Sequence, residues 1–189
     1  MWALVESGSV SQIYARPKQL LLGDVQYPSN IFELWTTAEL NALNIYEVVQ
    51  DNTNFKDTTY YANTAVSYAF QSSVTINSTN YTNVVVASYG TATALTLSNL
   101  KTAHKSRINS QAAGRLSPTD WMTIRETEGG TAMPSATKTW RASVRTKANS
   151  MCTQIDGAAN VDALGALWAY TDDGEGNFTR PLGEFPELS

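Results

Sequence analysis

The feature that most constrains this chain is a change of texture near its midpoint. Residues 1–92 carry three basic and seven acidic side chains among many Tyr, Val, Thr and Asn, whereas 93–189 carry ten of each sign. Branched and aromatic side chains pack well on a pleated surface, so the first half favours strands separated by Asn, Gly and Ser turns. The second half spaces its apolar residues three and four apart, which is the period of a helix face. Together these features predict an α+β protein. Its N-terminal part (1–92) is mostly antiparallel β with one short helix. A helical part (93–170), built on a helical hairpin, follows, and then an acidic tail (171–189). No Gly/Ser linker separates the first two parts.

Within the first half, Trp2–Val5 and Val10–Tyr14 flank the turn Ser7-Gly8-Ser9 and predict a hairpin. Leu20–Leu22 and Val25–Tyr27 predict a second hairpin about Gly23-Asp24, stopped by Pro28, which lacks a ladder donor. Thr36 and Glu39 have capping-box spacing, so a short helix through Leu43 should lead into a strand at Ile45–Val49. Residues 66–70, 73–77 and 81–89 read as strands divided at Gln71-Ser72 and at Ser78–Asn80.

In the second half, Leu97, Leu100, His104, Ile108 and Ala112 share a helical face, with Gly114 as the expected stop. Ser117-Pro118-Thr119-Asp120 predicts a helix start, and Gly129-Gly130 an end. The longest helix should begin at Pro134-Ser135, with Ala136, Trp140, Val144, Ala148, Met151 and Ile155 on one face. Asn160 should cap a last helix carrying Leu164, Leu167 and Trp168.

Composition removes several kinds of chemistry. One Cys and one His leave no disulfide, no Cys/His zinc set and no recognisable nucleophile motif, so neither metal nor cofactor is expected. Cys152 and His104 read as helix residues of structural use. A glycan-degrading enzyme would need paired carboxylates; Asp172, Asp173 and Glu175 are clustered, but in a Gly-containing turn that reads as solvated, so no enzyme is expected. A net charge of −4 disfavours nucleic acid as a partner, despite Lys101, Lys105 and Arg107 on one helix. No run reaches the ~20 apolar residues of a membrane helix. Residues 1–6 lack the basic start of a signal peptide, so synthesis and folding in a reducing cytoplasm are expected.

The strongest local pattern is Arg115–Trp121, then Arg125, Pro134 and Trp140–Arg145. It predicts a hairpin in which Trp121 packs on Trp140 and Val144, with Arg125, Arg141 and Arg145 beside the rings. Arginine forks next to aromatics are common makings of a protein-binding hot spot, so these residues are candidates for a binding surface. Residues 156–189 carry one basic and seven acidic groups, against nine and three for 100–155. The tail should therefore lie on the helices or on a neighbouring subunit, anchored by Phe178, Leu182, Phe185 and Leu188.

The run Leu116-Ser117-Pro118-Thr119-Asp120-Trp121, then Arg125, Glu128, Pro134 and Trp140-Arg141 with Val144-Arg145, resembles the C-terminal segment of phage tail assembly chaperones and tail-fibre assembly proteins. Those proteins often have Tyr where Trp140 stands. Val25–Phe32, Trp35 and Leu43–Val48 look like a segment of small proteins encoded near tail genes of marine phages. The resemblance covers about 25–50 and 100–150. It implies a non-enzymatic protein of the virion tail, or of the host cytoplasm during assembly, whose partner is a tail-fibre or tail protein. A transient chaperone and a homo-oligomer stay open under this reading.

Overall fold

The structure, a computed structural model, describes residues 1–188. The chain forms two compact units, Met1–Thr93 and the part from Ala94 onward. The N-terminal unit is a mostly antiparallel sheet with short helices and the second unit is helical, which is the expected α+β class.

Strands β1 (Trp2–Glu6) and β2 (Ser9–Tyr14) form the first hairpin. Ser7 and Gly8 both have positive φ (52° and 79°), the left-handed pair that matches the twist of a two-residue turn. Strands β3 (Leu20–Leu22) and β4 (Val25–Tyr27) form the second, ending before Pro28. A single helical turn that the sequence reading missed, α1 (Ile31–Leu34), precedes α2 (Thr37–Ala42). The capping box is complete: the Glu39 amide donates to Thr36 Oγ1 (3.3 Å) and the Thr36 amide to Glu39 Oε2 (2.7 Å). The chain then runs through β5 (Ile45–Asp51) and the two-residue β6 (Tyr61–Ala62). After these come β7 (Val66–Ile76), β8 (Thr79–Tyr89) and the two-residue β9 (Thr93–Ala94).

The expected break at Gln71-Ser72 does not occur. Strand β7 is continuous, and its pairing with β8 drops out only at Ser72 and the left-handed Asn83 before resuming in the same register. The real turn is Asn77-Ser78 (φ 49° and 66°), so Thr79 and Asn80 belong to the returning strand.

The main sheet has the order β2-β1-β5-β8-β7, and only the β5/β8 pair is parallel. Its terminal strands, β2 and β7, approach each other without joining the ladder, so the sheet curls. One core gathers Leu4, Tyr14, Leu20, Ile31, Phe32, Leu40 and Ile45 beneath the β3–β4 hairpin, α1 and α2. A second is built on Ala3, Val5 and Val85, with Tyr46 and Phe70 rings 4.6 Å apart. Val84 to Ala87 are buried in succession, as befits a central strand covered on both faces.

The helical unit begins with α3 (Leu97–Leu116), which buries His104, Ile108 and Ala112. Gly114 does not stop it. Instead α3 runs to Leu116 and into a tight turn at Ser117–Thr119 that opens α4 (Asp120–Thr127). Helix α5 (Ser135–Gly157) packs on α3 and buries Thr137, Arg141, Val144, Ala148, Met151 and Ile155. Their spacing alternates four and three, whereas Ala136, Trp140, Val144, Ala148 advances by four each time and drifts off the face. Asn160 Oδ1 accepts from the Ala163 amide (2.8 Å) and caps α6 (Val161–Ala166). A small hairpin, β10 (Thr171–Asp172) with β11 (Phe178–Thr179), begins the tail.

Candidate protein-binding surface

The α3–α4–α5 segment divides its arginines between two jobs. Arg141 is 6% exposed. Its Nη1 donates to the Leu116 carbonyl (2.8 Å) and to Thr119 Oγ1, and its Nη2 to Asp120 Oδ1 (2.7 Å). These acceptors are the last carbonyl of α3, the turn, and the first residue of α4. One planar fork on α5 therefore holds the corner between the two preceding helices. Arg141 is spent inside its own unit, which corrects its assignment to a binding surface. Arg145, one turn later, stays exposed beside Thr123, Glu126, Met133 and Lys138.

Trp121 and Trp140 do not share a core, contrary to expectation. Trp140 is half-buried, and its Nε1 donates to the Pro186 carbonyl (3.0 Å). Trp121 is 52% exposed, with the Arg125 guanidinium 4.8 Å from its ring centre. Ile124 is 58% exposed on the same side of α4, one turn from Trp121. Ile124 was absent from the sequence-based candidates, although its i, i+3 spacing from Trp121 marks it. Helix α4 has no fully buried residue, and Trp121 and Ile124 face solvent together beside the half-buried Arg125. The Arg125 side chain is oriented by donating Nε–H to the Thr131 carbonyl (3.0 Å), and Lys138 bonds Glu126 (2.6 Å), holding that carboxyl below its usual range.

Of the four tail anchors, two hold and two do not. Leu182 (0% exposed) and Phe185 (7%) are buried, whereas Phe178 (67%) and Leu188 (47%) face outward. Charge reinforces the packing at few points. Arg115 bonds Glu187 (2.8 Å) and lies over the Phe185 ring, while Arg180 bonds its own neighbour Glu184 and lies over Trp168 and Tyr170. The tail thus docks on its own unit chiefly through apolar contact. In the carboxylate turn, Asp173 accepts from the Glu175 amide (2.8 Å) and from Asn177, bonds that hold its carboxyl below the usual range. That is opposite to what a glycosidase general acid requires.

His104 is buried on α3 with its ring 5.0 Å from that of Trp168, and Arg107 lies over the same indole. Burial, and then the Arg107 charge, lower its pKa from the ordinary 6.5. The unfolded chain therefore binds a proton that the folded one resists. Stability is full above about pH 6.5 and falls as the pH drops below that value. We expect His104→Gln to flatten the melting temperature against pH in that window, before the carboxylates titrate. An unchanged slope in the variant would show that other groups set it.

Among the described residues no cluster of His, Cys, Asp and Glu could hold a metal ion, and no helix is long and apolar enough to cross a membrane. Compared with known proteins, the chain matches no family model, no curated protein and no solved structure.

Proposed function

We propose that the protein is a structural or assembly component of a bacteriophage tail or tail fibre, acting by non-covalent binding of a fibre or tail protein. The observation that carries the proposal is the exposed Trp121, with the Arg125 guanidinium over its ring and Ile124 exposed beside it, on a helix with no fully buried residue. A rigid aromatic with an arginine over its face is the composition that dominates interface energies, because both bury large area for little lost freedom. The tail-protein context comes from the Leu116–Trp121 and Trp140–Arg145 pattern and its resemblance to tail-assembly proteins. Phe178, exposed at the β10–β11 hairpin, is a second contact candidate in this reading.

The test is co-purification from phage-infected cells, followed by mass spectrometry of purified virions. Trp121→Ala is expected to reduce capture of a tail-fibre or tail protein about thirtyfold, a loss of about 2 kcal/mol. Its stability should stay within about 0.5 kcal/mol, as for most surface substitutions. Full capture by the variant would remove α4 from the interface. Presence in the virion distinguishes a retained component from a chaperone that binds the fibre protein and leaves.

A further inference from the structure

We infer that the outer edge of β7 is a self-association edge, through which two copies of the chain pair antiparallel, β7 to β7, about a twofold axis. Strand β7 ends the sheet, and β8 lies on its inner side. Although β2 approaches it, no backbone hydrogen bond joins them, so the outer amides and carbonyls of Val66–Ile76 have no backbone partner among the described residues. An edge strand with no ladder partner on its outer side is a template for another strand.

Proteins that stay monomeric guard such edges with lysine, inward charge, proline or a bulge that shifts the register. Here there is no charged residue and no proline in β7, and the interruption at Ser72 leaves the register unchanged. The lack of charge extends far beyond the strand: residues 58–100 contain no Asp, Glu, Lys, Arg or His. A twofold contact sets the edge against an identical edge, so any net charge there meets like charge. An uncharged edge is what a second copy of the same chain tolerates best.

The order of side chains fits the same partner. Centring the twofold on Gln71 overlaps the whole strand, and position i then faces position 142 − i. Val66 meets Ile76, Tyr68 meets Val74 and Ser67 meets Thr75, like facing like, while nearer the axis Ala69 faces Ser73 and Phe70 faces Ser72. Two hydroxyl-lined strands joined this way form one continuous sheet. The contact is isologous and closes at a dimer.

The test is the mass of the intact chain in solution, by light scattering and sedimentation equilibrium over a wide concentration range. The unaltered chain is expected to be a dimer. Ala69 and Ser73 are exposed and face each other across the proposed axis, so Ala69→Lys with Ser73→Lys should yield a folded monomer whose melting temperature, unlike that of the unaltered chain, does not depend on concentration. Mixing it with Ala69→Glu, Ser73→Glu should restore the dimer mass. A monomeric unaltered chain overturns the proposal, and so does a lysine variant that remains dimeric. So does a chain that pairs only when a tail protein is added. Hydrogen exchange of the β7 amides in the unaltered chain tests the same idea without substitution: protection should fall on dilution, and concentration-independent exchange would overturn it. Trp121→Ala should leave the dimer mass unchanged, which separates this edge from the α4 surface.

Discussion

Arg141→Ala is expected to destabilise the helical unit by about 3 kcal/mol, the largest effect of any single substitution in the α3–α4–α5 corner. The side chain is buried, and its one guanidinium bonds the Leu116 carbonyl, the Thr119 hydroxyl and one oxygen of Asp120 at once. Asp120 is more than half exposed, so water can replace that bond, and its share is the smallest. The Leu116 carbonyl and the Thr119 hydroxyl keep the bond between them (2.9 Å), and the buried Thr119 loses its charged donor. Arg141→Lys should recover little, because a single ammonium cannot reach three acceptors in the geometry of a planar fork. Urea unfolding monitored by far-UV dichroism reads the effect. A midpoint shift smaller than that of an exposed control such as Arg145→Ala would show that the corner does not depend on the fork.

This reverses the role that residue types alone suggest. Arg141 and Arg145 are four apart and share a side of α5 when drawn on a helical wheel, yet one is buried and the other is not. What separates them is the position of the α3–α4 corner along α5, which is long-range information. The same holds for Trp121 and Trp140. Sequence identifies both as large apolar groups near a hairpin, but it cannot tell which face of a short α4 turns inward. In the structure Met122, Arg125 and Glu126 are half-buried while Trp121 and Ile124 face outward, and Trp140 finds its hydrogen-bond partner in Pro186, 46 positions away.

Local chemistry was legible where it is local in cause. The Thr36–Glu39 box, the Asn160 cap, the Pro28 stop and the turns at Ser7-Gly8 and Gly23-Asp24 follow from contacts within a few residues, and each occurs where the residue types place it. The errors lie where tertiary packing outweighs propensity. Gly114 sits inside α3 because the helix continues over Ala112 and Leu116 toward α5, with open space around the glycine itself. Gln71-Ser72 stays in a strand because β8 supplies a partner ladder on both sides of it. Ala136 lost its place on the α5 face to Thr137 because the buried stripe alternates four and three, which a repeat of four cannot follow. The α4 surface was half legible: Trp121 and Arg125 stand out by type, whereas their exposure had to come from the fold.

Truncation of the chain from Thr179 onward should cost more than any point substitution, of order 5 kcal/mol or above. The segment removes Leu182 and Phe185, both buried, and side chains of that kind contribute roughly 2–5 kcal/mol each when lost from a core. It also removes the Pro186 carbonyl that accepts from Trp140, the Leu182 amide that donates to the Leu167 carbonyl (3.1 Å), and the Glu187 partner of Arg115. A domain holds only about 5–15 kcal/mol in total, so the helical unit should lose most of its cooperative transition. The tail therefore belongs to the folding of its own unit, and an effect of this deletion confined to assembly is not expected. Charge adds little, because the exposed Arg115–Glu187 pair is worth at most about 1 kcal/mol and weakens with salt. Leu182→Ala should accordingly reproduce a large part of the loss, Phe178→Ser almost none, and raising the salt should change the ranking of neither. Tryptophan fluorescence during thermal unfolding follows Trp140 and Trp168 directly. A truncated chain that melts at the midpoint of the full one would show that Leu182 and Phe185 do not hold the unit together.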